Sequence, residues 1–110
     1  MRRRQIIVPL TEEAVLNLEQ DSVNEIDQII YNIGEKDFMF LFNNIFHRIN
    51  ELYPEIIIDD FEEEQINDTD KIKEIVKLLQ NLYIDSLLIN RLINMFMEAV
   101  HAKTGIYFFF

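Results

Sequence analysis

Residues 22–34 read SVNEIDQIIYNIG, and the fold class turns on how they are read. Ser22, with Glu25 three residues later, fits a capping box, in which hydroxyl and carboxylate each satisfy an orphan backbone N–H. Val23, Ile26, Ile30 and Ile33 recur at i, i+3, i+7 and i+10 before Gly34, a residue suited to ending a helix. The spacing predicts an amphipathic helix over residues 22–34.

The flanking sequence extends the same expectation. Thr11 is placed to cap a helix whose first turn carries Glu12 and Glu13 at the positive end of its dipole. Asp37 is placed to cap another, in which Phe38, Phe42, Ile45, Ile49 and Leu52 form a stripe widened by Met39, Phe46 and Tyr53, ending where Pro54 disfavours a helical Tyr53. Asp68 or Thr69 starts a helix with Ile72, Ile75, Val76, Leu79 and Leu82 on one face and Lys71, Lys73 and Lys77 outside it. Asp85 and Ser86 start the last, with Leu88, Leu92, Met95, Phe96 and Ala99 inward, up to Gly105. Only two glycines and two prolines punctuate the chain, which suits helices joined by short connections.

The expected fold is therefore all-α: one domain over residues 1–110, an irregular bundle of four to five helices. Residues 5–8, QIIV, read as a short strand or an extended lead-in. The terminal IYFFF must be buried, paired or bound, and a minor two-stranded contact between residues 5–8 and 106–109 is one way to do it. Residues 54–58 are read either as a short extended segment or as a first helical turn, burying Ile56 or Ile58.

Composition narrows the function. Twenty acidic residues against ten basic ones give a net charge of −10, which argues against direct contact with nucleic acid or an anionic membrane. A partner recruited by charge is basic. With no cysteine, disulfides and thiolate metal sites are excluded, and a reducing cytoplasm is the expected compartment. The MRRR start is followed by an apolar run too soon broken by Pro9 to serve as a signal peptide, so Arg2, Arg3 and Arg4 read as a solvated basic tip.

Familiar reaction chemistry finds no foothold. Glu98 and His101 share a helical face as a metal pair would, but a di-metal bundle needs a second such pair and two more carboxylates. His47 and Glu51 at i, i+4 make a surface contact. Carboxylates at 59–64 lack the alternation and glycine of a calcium loop. Ser22 and Ser86 stand at helix starts, and no glycine loop could cradle phosphate. No enzyme, cofactor or metal is expected.

Acid is distributed in blocks. Seven acids and no base occupy residues 5–35, and eight acids and no base occupy residues 55–70. A solvated face would account for this, yet solubility does not require excluding every base from both blocks. Complementarity to a basic surface does. The segment IIIDDFEEEQINDTD (residues 56–70) holds the expected recognition residues: Asp59, Asp60, Glu62, Glu63, Glu64, Asp68 and Asp70, with Phe61 as their apolar anchor.

Short, acidic, cysteine-free, helical by the spacing above and rich in Asn and Ile, the chain resembles bacterial immunity proteins of the contact-dependent-inhibition and colicin-type systems. The resemblance implies an inhibitor that binds a basic protein, most plausibly a nuclease toxin, and covers its active or nucleic-acid-binding surface. A second reading is a helical homo-oligomeric adaptor, a homodimer for example, that packs through its apolar faces and IYFFF tail.

Overall fold

The computed structural model describes residues 4–19, 27–82, 84 and 86–110. The chain runs β1 (Arg4–Pro9), α1 (Glu12–Glu19), β2 (Gln28–Ile33), α2 (Glu35–Leu41), a π-helical stretch (Phe42–Phe46), α3 (His47–Leu52), β3 (Glu63–Ile66), α4 (Thr69–Gln80), α5 (Leu87–Ala102) and β4 (Ile106–Phe109). The four strands form one antiparallel sheet in the order β2-β1-β4-β3, so the fold is α+β and the all-α expectation is wrong.

The error lies chiefly in the stretch around Tyr31. Residues 28–33 form a strand paired with β1 from Arg4↔Ile33 to Pro9↔Gln28. Ile29, Tyr31 and Ile33 pack against the main core, while Ile30 packs on the opposite face with Ile7 and Tyr107. Both faces of the strand meet apolar neighbours, so the polar–apolar alternation that marks a one-sided strand is blurred and isoleucines fall at helical spacing by coincidence. Gly34 does not end a helix but begins one, as the extended N-cap of α2 (φ −72°, ψ 163°), and Asp37 sits inside its first turn. The Ser22–Glu25 capping box lies outside the described residues.

The proposed contact between the termini is the centre of the sheet. Gln5, Ile6 and Ile7 pair with Phe109, Phe108 and Tyr107, and β4 pairs along its other edge with β3, from Glu63↔Phe109 to Ile66↔Ile106. Alternation then sorts the tail: Ile106, Phe108 and Phe110 enter the main core with the long helices, while Tyr107 and Phe109 face Leu18 of α1. Phe108 meets the ring of Phe46 at 5.6 Å, and Phe110 meets Phe38 at 5.0 Å, both edge-on. Thr104 ties the start of β4 to the end of β1 by donating its hydroxyl to the Pro9 carbonyl at 2.6 Å.

Several helix signals are met. Thr11 Oγ1 accepts the N–H of Ala14, and the Asp68 carboxylate accepts those of Asp70 and Lys71. Ile72, Ile75 and Leu79 of α4 are buried against the core, as are Leu92, Met95, Phe96 and Ala99 of α5. In the long helical run, which includes the π-helical stretch, Phe38, Ile45, Phe46 and Ile49 are buried and Phe42 and Tyr53 pack against the core as expected, whereas Met39 is 46% and Leu52 59% exposed. Asp85 lies outside the described residues; Ser86 is the extended N-cap of α5.

Helix α5 closes not on Gly105 but on Lys103, which adopts the left-handed conformation (φ 57°). Gly105 is needed for another reason. A Cβ there would lie 2.8 Å from the Ile66 carbonyl oxygen and 3.2 Å from Asn67 Cα, so the β4–β3 approach leaves no room for a side chain. Gly105→Ala is expected to cost about 1–3 kcal/mol through backbone displacement, read as a lowered urea midpoint. Unchanged stability would show that β3 can move aside freely.

Candidate functional site

After α3 the chain turns through Pro54 and Glu55, with the Ile56 N–H donating to the Tyr53 carbonyl at 2.8 Å, and then runs extended. Alternation in this extended segment buries both Ile56 and Ile58 and leaves Ile57 57% exposed. Asn50 holds the segment as a neighbouring strand would, donating to the Ile58 carbonyl at 2.8 Å and accepting its N–H at 2.9 Å. Glu64 completes the clamp by accepting the Ile57 N–H at 2.7 Å.

Two residues later the chain reverses through Asp60 and Phe61. Phe61 sits in the left-handed region (φ 66°) with 78% of its surface exposed. Either property alone would be notable in a bulky aromatic; together they set backbone strain and an exposed ring at one position. Asp59, Glu62 and Glu63 surround it in sequence and are exposed. The Phe110 N–H donates to the Glu62 carbonyl at 3.1 Å, anchoring this tip to the C-terminal core.

The eight predicted recognition residues divide into two groups. Asp59, Phe61, Glu62, Glu63 and Asp70 are exposed, and the Asp59 carboxylate also accepts the Asp60 N–H at 2.7 Å. Asp60, Glu64 and Asp68 have structural work. Both Asp60 carboxylate oxygens accept from Arg4, with Nη2 at 3.2 Å from each, and the Arg4 guanidinium also lies 4.3 Å from the centre of the Phe38 ring. Arg4 is thus not part of a solvated basic tip: it is 9% exposed, and it braces β1 against the acidic turn. Arg2 and Arg3 lie outside the described residues. Glu64 clamps Ile57, and Asp68 caps α4.

Beside β3 lies a groove of about 320 Å³ that the linear sequence did not suggest. Leu18, Tyr107 and Phe109 supply its apolar walls and Glu19 and Glu63 its carboxylates, while Glu64, also at its border, has its carboxylate engaged by the Ile57 and Gln65 N–H groups. Burial pushes the Tyr107 hydroxyl pKa up, helped by the negative charge of Glu19. An aromatic floor under carboxylates is a receptacle for a long cationic side chain, whose methylenes cover the rings while its head meets the acids. Phe61 stands two residues before β3 and the groove runs alongside it, so both belong to one edge of the molecule. Glu19 lies in the first acidic block and Glu63 in the second; only pairing of β4 with β3, and packing of α1 on that sheet face, brings them together.

On the other side of the turn, Lys71 donates to the Glu55 carboxylate and Tyr53 Oη to Glu74 at 2.9 Å. That hydrogen bond from Lys71 lowers the Glu55 pKa and raises that of Lys71. Burial raises the Tyr53 pKa, reinforced by the bond to Glu74. Lys71 is therefore already held by Glu55, as Arg4 is by Asp60, while Asp59, Glu62 and Glu63 are exposed.

The weaker leads fall elsewhere. Glu98 and His101 line different grooves, the first beside β2 and the second between α4 and α5. His47 Nε2 lies 2.9 Å from Glu51 Oε1 on an exposed helix surface. Among the described residues no three of His, Asp or Glu are grouped to hold a metal ion, and no helix is long and apolar enough to cross a membrane. Comparison with known proteins finds no matching family model, no similar curated protein and no similar solved structure.

Proposed function

We propose that this chain is a non-enzymatic inhibitor that binds a basic protein, most plausibly a nuclease toxin, in the manner of an immunity protein. The observation that carries the reading is Phe61, a strained and exposed aromatic set among exposed carboxylates. Strain of this kind persists only where the surrounding structure imposes it, and here Asn50, Glu64 and Arg4 hold the segment on both sides. A central aromatic within a charged rim is the arrangement in which a few residues carry most of the binding energy while charge accelerates encounter. The groove lined by Glu19, Glu63 and Phe109 adds a place for a partner's Lys or Arg.

In this reading the chain blocks its partner by occupancy and acts in the cytoplasm, where a nuclease would do its damage. The experiment is co-expression with the product of the neighbouring reading frame. The expected result is rescue of growth and a purified heteromeric complex whose association slows as salt rises, because screening weakens the steering field. Toxicity undiminished by the chain, with no complex recovered, overturns the reading.

The adaptor alternative loses its interface in part. Ile106, Tyr107, Phe108 and Phe110 are buried within the chain's own sheet and core, so the aromatic tail is not available to another copy.

A further inference from the structure

We infer that the chain forms a two-fold symmetric dimer by pairing the outer edge of β2 with the same edge of a second copy. The sheet's two edges are treated differently. Strand β3, at one end of the order, has four residues and carries Glu63 and Glu64, the charged guard that keeps an edge from pairing. Strand β2, at the other, runs six residues as QIIYNI with no charge and no proline, and among the described residues nothing pairs with its outer side.

The neighbouring helix is matched to the same symmetry. A groove of about 290 Å³ separates β2 from α5, with Ile29, Ile30 and Tyr31 on one wall and Arg91, Asn94 and Glu98 on the other. Arg91 stacks its guanidinium 4.8 Å from the centre of the Tyr31 ring. Arg91 and Glu98 are seven residues apart, two turns along one face, and carry opposite charges. A two-fold axis perpendicular to the sheet reverses the direction of every element, so an axis near Ile30 and Asn94 sets Arg91 of each copy opposite Glu98 of the other. The surface is self-complementary.

Pairing must also keep each face of the sheet on its own side, which requires opposed residues of matching parity. With Ile30 opposite Ile30 of the second copy, Ile29 meets Tyr31 and Gln28 meets Asn32. Dimerisation through this edge also keeps the acidic turn at β3, on the opposite end of the sheet, away from its counterpart, which matters for chains of net charge −10.

Sedimentation equilibrium of the full chain is the test. The expected result is reversible association to twice the chain mass. Glu98→Arg and Arg91→Glu, both at exposed positions, should each raise the dissociation constant by about tenfold or more, since two attractive contacts become repulsive. The double exchange, Arg91→Glu with Glu98→Arg, should restore association. Circular dichroism of each variant confirms that the fold is kept. A monomer at every soluble concentration overturns the inference, as does a dimer insensitive to the single reversals or one that the double exchange fails to rescue.

Discussion

Removing residues 106–110 is expected to abolish cooperative folding. The segment is the third strand of four in the sheet order and supplies pairing edges to β1 and β3 at once, so its loss splits the sheet into a β1–β2 pair and a detached β3. It also empties the core. Phe108 is fully buried and its ring meets those of Phe46, Phe96 and Phe110. Truncating a buried phenylalanine to alanine costs about 3–5 kcal/mol, which is a large share of the roughly 5–15 kcal/mol that holds an ordinary domain folded. Phe108→Ala alone should therefore lower the urea midpoint severely while the protein still folds in water. A truncated chain with a sharp unfolding transition would show that the sheet closes without β4.

The second large effect is expected in binding. Reversing Asp59, Glu62 and Glu63 to Lys should slow association with the proposed basic partner by about tenfold to a hundredfold at low salt, because the steering field changes sign at this edge, and the gap should narrow as salt is raised. The fold should survive, since all three side chains are exposed and the bond that Asp59 accepts from the Asp60 N–H is local to the turn. Asp60 is left out of this set for a structural reason. A lysine there would press a second cation against the partly buried Arg4, so loss of activity would follow from damage to the β1 brace. Stopped-flow association at several salt concentrations separates the two cases. Rates equal to the wild type would remove this edge from the encounter surface.

The local signals were legible where chemistry acts within a few residues. Thr11 and Asp68 cap helices as their positions imply, and the isoleucine pairs of α4 point inward. Pairing of the two chain ends was legible too, from the need to bury IYFFF, but its weight was misjudged: what looked like a minor contact is the middle of a sheet. The strand at residues 28–33 was lost because a sheet covered on both faces shows no clean alternation. The π-helical stretch at Phe42–Phe46 carries no residue that marks it, and Leu52, the last residue of α3, is on the surface and not in the expected core.

For the candidate site, the acidic segment and its anchor Phe61 could be read from the chain, whereas the division of labour within it could not. Whether a carboxylate faces a partner, caps a helix or clamps a backbone depends on what folding brings beside it. Arg4, 56 positions away, claims Asp60. Glu19 and Tyr107 join the groove through sheet pairing and helix packing, at separations that no local pattern reveals.

The central claim is that the strained, exposed Phe61 is the anchor that meets a partner. One substitution, Phe61→Gly, tests it with two readings on the same protein. Glycine adopts the left-handed conformation without penalty, and most of the surface removed is in solvent, Phe61 being 78% exposed. The chain should therefore unfold at the wild-type urea midpoint or above it, by up to about 1 kcal/mol, while growth protection against the toxin is lost. A variant that unfolds well below the wild type yet protects fully would contradict the account.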